Sequence, residues 1–415
     1  MPGARLRGIV TVAAPHDVDV AREYRERTQE SARRFERFRA CLPGGETRTF
    51  TFHEPYPVVL ERGEGAFLVD VDGNRYLDVL NNYTSLVHGH AYPPVVEAIA
   101  DAALGGSALP APHPRQLAWA ELLQSRYPAV ELVRFTNSGS EAAILAARIA
   151  RRSTGRRRLL LFEGGYHGTG AEFAGETGDA ILVRYGDLEH ARANLDDSVA
   201  AVFVEPFLGT RGVVEASPSF LHGLREEARR RGALFVLDEV QSLRNAFRGM
   251  HAELGLDPDI VLMGKIIGGG LPVGAVGGSR EVMAVTAADR SDRLPHSGTF
   301  NGNPLTAAAG LTCLAALDAE AIETLNRRAR ELAGRIEAEG AAAGVRVHVR
   351  RSGSIMHVHL ADGDSPELLH LSLLLEGVYA APRGMLNLST AMSEEHCAAV
   401  ASGYARAFAR MRGCR

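Results

Sequence analysis

Lysine is almost absent from this chain. Of 46 Lys and Arg residues only Lys265 is a lysine, which leaves 45 arginines, so surface charge rests on guanidinium groups. Cysteine is scarce as well. Cys41, Cys313, Cys397 and Cys414 show neither a CxxC spacing nor a nearby histidine cluster, which argues against a zinc site and a disulfide framework. No apolar run reaches the roughly 18 residues needed to span a bilayer. No basic segment followed by a long apolar stretch opens the N-terminus, so a signal peptide is not expected and the cytoplasm is the default compartment. An excess of one charge is missing too. A formal net charge of -4 gives no reason to expect nucleic acid or an anionic membrane as partner. The basic clusters Arg151-Arg152, Arg156-Arg157-Arg158 and Arg229-Arg230-Arg231 stand at expected helix ends beside a glycine, where they favour the helix dipole.

What is present is an ordinary globular composition, with 46% hydrophobic and 23% charged residues. The length suits two domains. Residues 1–16 read as a loose tail and 17–40 as a charged helix stopped by Leu42-Pro43-Gly44-Gly45. Residues 58–79 read as short strands with Asp72-Gly73 as a hairpin turn. Beyond residue 92, helical segments (93–104, 114–126, 140–152, 218–232) alternate with apolar strands (131–136, 158–162, 199–204, 233–238, 259–263, 273–277). That alternation predicts an α/β fold, a mostly parallel sheet with helices on both faces. Helix is expected over 303–343, strands over 345–360 and a last helix near 393–412. The division expected is a large domain over 81–310 and a small α+β domain built from 1–80 and 311–415.

A lysine retained among arginines suits two jobs that guanidinium does poorly: a nucleophilic amine, or a compact charge on a phosphate. Lys265 follows the apolar run Asp259-Ile260-Val261-Leu262-Met263 and opens a glycine-rich turn, Gly268-Gly269-Gly270, as if a buried strand delivers it to a site. Asp238 ends another apolar run, where open α/β sheets place ligands, although a strand-end Asp also caps turns. Ser138, Gly139 and Ser140 open an Ala-rich helix after the strand Leu132-Val133-Arg134-Phe135. Its free N–H groups can hold an anion, and a serine there also serves as a plain cap. Tyr166 stands between glycines in Gly164-Gly165-Tyr166-His167-Gly168, able to lie flat on a ring or to anchor a loop. Amine, carboxylate, anion nest and aromatic are the four parts of a pyridoxal phosphate site.

In that order the motifs make the chain similar to class III pyridoxal-phosphate aminotransferases of the glutamate-1-semialdehyde aminomutase branch. The likeness runs from about Pro43 to the C-terminus. It is carried by Pro43-Gly44-Gly45, Arg62-Gly63-Glu64-Gly65, Asp70-Val71-Asp72-Gly73-Asn74, 136–142, Tyr166-His167-Gly168, Val204-Glu205-Pro206, Asp238-Glu239-Val240, 264–278 and Gly298-Thr299-Phe300-Asn301. The resemblance implies the PLP-dependent transferase fold (fold type I) and pyridoxal 5'-phosphate as cofactor. It implies that Lys265 carries the cofactor and shuttles the proton, and that Asp238 pairs with the ring nitrogen. Ser138, Gly139 and Ser140 would hold the phosphate, Tyr166 and Val240 the two ring faces, with His167 and Glu205 close by. Thr299 would reach the phosphate of a neighbouring subunit, making the site depend on a homodimer.

Within the branch, Pro382-Arg383-Gly384 departs from the aminomutases, which place a glutamate after the corresponding proline. That segment, His296-Ser297-Gly298-Thr299-Phe300-Asn301 and Tyr83-Thr84 before Gly89-His90 resemble β-amino acid aminotransferases of the β-phenylalanine type. There two arginines receive substrate carboxylates, and Arg48 and Arg383 stand at the matching positions. The resemblance thus implies ping-pong transfer from a β-amino acid-like donor to a keto acid such as 2-oxoglutarate. Tyr83 is a further substrate candidate. His88, with Asn81-Asn82, predicts a more polar entrance and a substrate less hydrophobic than β-phenylalanine. The rival readings are an aminomutase or epimerase, a decarboxylase of the same class, and a non-catalytic protein of this fold.

Overall fold

The computed structural model describes residues 15–361 and 363–413. The expected tail lies outside the described residues as far as residue 14, as does Cys414. From Pro15 the chain is helical, as Pro15–Arg27 and Gln29–Cys41, and it breaks at Thr28, whose ψ of 42° is not helical.

Seven strands form the central sheet. Their order in space is Leu132–Thr136, Gly274–Gly278, Ile260–Gly264, Leu234–Asp238, Val199–Val204, Arg158–Phe162 and Ala180–Val183. All pair in parallel except Gly274–Gly278, which is antiparallel to both neighbours. Val199–Val204 is buried at all six positions, as a strand covered on both faces must be. One cover is the helix Gly139–Thr154. Its buried Ala142, Ala143, Ala146, Ala147 and Ala150 let it lie close on the sheet, and Gly155 at φ 69° ends it in the left-handed region. Helices Pro93–Leu104, Pro114–Arg126 and Pro218–Arg231 start on prolines, whose fixed φ suits a first turn.

The two chain ends meet beside this body. Strands Leu60–Glu64, Phe67–Asp70 and Arg75–Asp78 are joined by Val378–Tyr379, which runs parallel to the third. A separate sheet holds Val347–Ser352, Ile355–Leu360 and Met385–Asn387. The helix expected over 303–343 is two, Pro304–Ala316 and Ala319–Ala342, because Leu317 turns away and Asp318 caps the second. A boundary at residue 311 would cut the first of these, which packs on Pro93–Leu104 and Pro114–Arg126. Among the described residues no single helix is long and apolar enough to cross a membrane.

Candidate active site

The parallel strands end on one edge of the sheet, and their last residues carry the chemistry. Asp238 closes its strand, Glu205 follows Val199–Val204 and Lys265 follows Ile260–Gly264. Asp238 is buried, with Oδ2 2.8 Å from His167 Nδ1 and Oδ1 accepting the Val240 N–H at 3.0 Å. Burial works to discharge His167. The hydrogen bond and charge of Asp238, helped by Glu205, outweigh it and raise the imidazole above its usual range. Glu205 accepts the Tyr166 N–H at 2.9 Å. Burial lifts its carboxyl to about 7, with Asp238 adding to the rise and His167 and the backbone N–H groups of Tyr166 and Gly209 opposing it. Desolvation pushes the Lys265 amine below the ordinary lysine range, against the pull of Asp238 and Glu205. Lys265 also holds φ at 50°, in the left-handed region that non-glycine residues seldom adopt.

The antiparallel strand ties these ends to the helix Gly139–Thr154. Gly274 pairs with Gly264 on one side and Thr136 on the other. A Cβ on Gly274 would lie 2.0 Å from the Ser138 carbonyl oxygen, so only glycine fits. Ser138 Oγ accepts the Glu141 N–H at 3.2 Å and is therefore the helix cap. Ser140 Oγ takes the Thr169 N–H at 3.3 Å, which draws the Tyr166-His167-Gly168 loop onto the same helix start. Asn137 bonds Asn301 at 2.8 Å and so brings the 298–303 loop beside it, with Thr299 and Phe300 exposed. Val240 packs against Gly139 and Gly264. A buried carboxylate, a desolvated amine, a helix N-terminus and the exposed ring of Tyr166 make a donor set that fits pyridoxal phosphate.

The substrate candidates gather around a residue that the sequence did not single out, Phe50. Its ring stands edge-on to Tyr166, at 6.1 Å between centroids and 89° between planes. The Arg383 guanidinium lies 5.8 Å from its centroid. Its carbonyl accepts the Tyr83 hydroxyl at 2.9 Å. Arg48 donates to Asn82 Oδ1 at 2.7 Å, next to Tyr83. Burial raises the Tyr83 phenol above its usual range, while the charges of Arg48 and Arg383 pull it back. Asn81, Asn82, Tyr83 and Thr84 all have positive φ, at 47°, 46°, 55° and 75°, and form one left-handed turn. An aromatic two residues after Arg48 is the one signal that could have found Phe50.

His88 does not join this group. Its Nδ1 lies 2.8 Å from Thr390 Oγ1, its Nε2 lies 2.9 Å from the Cys313 carbonyl, and it stacks on Tyr92. With both nitrogens engaged and the ring buried, it offers no polarity to an entrance, and the expectation placed on it is corrected. Asn81 is likewise buried, bonded to Asn387.

The Aminotransferase class-III family model matches residues 51–184 and 170–399. The β-phenylalanine transaminase of Variovorax paradoxus is 37% identical over 399 residues, which cover 91% of this chain and 92% of that protein. A glutamate-1-semialdehyde 2,1-aminomutase of Myxococcus xanthus (strain DK1622) is 40% identical over 352 residues, 78% of this chain and 81% of that one. The crystal structure of an omega-transaminase from Sphaerobacter thermophilus matches with a TM-score of 0.90 at 37% identity, over 94% of this chain and 99% of that chain. The chain therefore belongs to the class III aminotransferases and is a transaminase dependent on pyridoxal phosphate.

Proposed function

We propose that the protein transfers an amino group from a β-amino acid to a keto acid such as 2-oxoglutarate, in two alternating half-reactions on one site. The observation that carries this reading is the grouping of Arg48, Tyr83 and Arg383 around Phe50 and Tyr166. Two guanidinium groups suit a dicarboxylate acceptor, and one suffices for the carboxylate of a donor. The aromatic surroundings suit an apolar donor side chain, so a polar donor is no longer favoured.

When bound, pyridoxal phosphate supplies an electron sink for the carbon that bears the amine. The chain's own groups do the rest. Lys265, with its amine held below the ordinary range, takes the proton from that carbon at Nζ and returns it later. Asp238 would present its carboxylate to the ring nitrogen, held in place by His167. The N–H groups at Ser138, Gly139 and Ser140 would hold the phosphate, and Tyr166 and Val240 would pack against the ring. Glu205 holds the Tyr166 backbone in place. Thr299, exposed beside that helix start, would complete the phosphate site of a second subunit in a homodimer.

The test is a titration of the loaded protein with α-, β- and ω-amino acids, without acceptor, following the cofactor's absorbance. Conversion to the amine form by β-amino acids alone supports the reading. Conversion by the other classes alone, or by none, overturns it. An aminomutase, the second reading left open by the Myxococcus relative, would turn over its substrate with no acceptor at all.

A further inference from the structure

Arg244 is enclosed, 1% exposed, and every hydrogen-bond partner it has is a neutral oxygen. It donates to Ser354 Oγ at 3.2 Å, the Thr84 carbonyl at 3.3 Å, Asn387 Oδ1 at 2.8 Å and the Leu388 carbonyl. Burial brings its guanidinium down to about 10, so it stays charged at neutral pH. Only Arg, with five donors in a planar fork, can meet four such acceptors at once.

Ser354 sits in the turn before Ile355–Leu360, the strand that pairs with Met385–Asn387, and the other three acceptors belong to two places. Thr84 closes the left-handed turn that carries Asn82 and Tyr83. Asn387 and Leu388 follow the turn of Arg383, at the end of the strand Met385–Asn387. Asn387 strengthens the link. Its Nδ2 donates to the Leu80 carbonyl at 2.6 Å, its N–H to the Val79 carbonyl at 2.5 Å, and its own carbonyl accepts from Asn81 Nδ2 at 3.1 Å. Asp78 Oδ1 takes the N–H groups of Leu80 and Asn81 at 2.7 and 2.9 Å, while Oδ2 is held by His90 at 2.6 Å. Residues other than glycine and asparagine seldom adopt the left-handed region, and Tyr83 and Thr84 are neither. The turn therefore exists because its surroundings impose it.

We propose that Arg244 is a positioning residue for substrate recognition: it clamps the Asn81–Thr84 turn to the strand Met385–Asn387, which follows the turn of Arg383, and so fixes the separation of the Arg48 and Arg383 guanidinium groups. This rests on the reading of those two arginines as carboxylate hooks. A dicarboxylate must meet both hooks and is sensitive to their spacing, whereas a monocarboxylate needs one and is not.

The experiment compares the loaded wild type with Arg244→Lys and Arg244→Met. Met keeps the volume without the charge, and Lys keeps the charge with fewer donors, so at least one folded variant is available. Two readouts are taken: KM for 2-oxoglutarate against KM for pyruvate, and amide hydrogen exchange over residues 80–85 and 385–389. The expected result is a rise of about tenfold in KM for 2-oxoglutarate and under about threefold for pyruvate, with kcat within about twofold. Exchange should quicken in both segments together, less in Arg244→Lys. An equal rise in the two KM values, or unchanged exchange over 80–85, overturns the proposal. A wild type that ignores 2-oxoglutarate would sink the proposed function instead, and the exchange data would still decide the clamp.

Discussion

Nδ1 of His167 sits 2.8 Å from Oδ2 of Asp238, and both side chains are buried. Burial alone would push the His167 imidazole down, and the hydrogen bond and charge of Asp238 raise it above its usual range instead. Asp238 is thereby held in one orientation, with Oδ1 on the Val240 N–H and Oδ2 on His167.

Asp238→Asn should lower turnover by about a hundredfold or more, the usual scale for losing one preorganised charge at a reacting centre. His167 should then titrate lower, because its raising partner is gone while its burial remains. Steady-state rates and an NMR titration of the His167 ring check both halves. A fall in rate with an unmoved His167 would contradict the coupling.

Glu205 sets a pH dependence of stability in the cofactor-free protein. Its folded carboxyl is lifted to about 7 from an ordinary 4.5. Below 4.5 both states hold the proton and nothing is lost. Between 4.5 and 7 the unfolded chain releases it and the folded one does not, so stability falls as pH rises. Above 7 both are ionised and the loss is complete, about 3 kcal/mol at most. Glu205→Gln keeps an acceptor for Tyr166 and should raise Tm at pH 8 while leaving it unchanged at pH 4, as calorimetry would show.

Much of this was legible in the sequence, for reasons that particular segments make plain. Pro93, Pro114 and Pro218 announce helix starts, and the all-apolar 199–204 announces a covered strand. Asp238 and Lys265 were readable because each ends an apolar run. The direction of Gly274–Gly278 was not, since small apolar residues signal burial and carry no orientation. Ala180–Val183 was missed because it is short and Leu182 is exposed. Phe50 stayed hidden because it lies outside helix and strand and meets Tyr83, Tyr166 and Arg383 only through the fold. His88 was misjudged because a sequence does not say whether an imidazole faces water or the Cys313 carbonyl.

Lys265→Arg should cut transamination by at least about a thousandfold, because a guanidinium neither carries the cofactor nor moves the proton. Substantial residual turnover in a steady-state assay would remove Lys265 from its role.

Phe50→Ala should raise KM for an aromatic β-amino acid by about tenfold, with a smaller change in kcat, since it deletes the wall between Tyr166 and Arg383. Initial-rate measurements with β-phenylalanine and β-alanine separate the cases. An equal effect on both donors would mean that Phe50 shapes the loop rather than meets the side chain.

The antiparallel strand Gly274–Gly278 has a consequence for biosynthesis. It is wedged between the strand that leads to Lys265 and the strand that leads to Ser138, and its first residue touches both. A nascent chain that has emerged only as far as Lys265 already possesses the amine, the carboxylate and the anion nest in its sequence, yet lacks the piece that brings them to one edge. The site as folded is therefore assembled only from a chain that reaches at least residue 278.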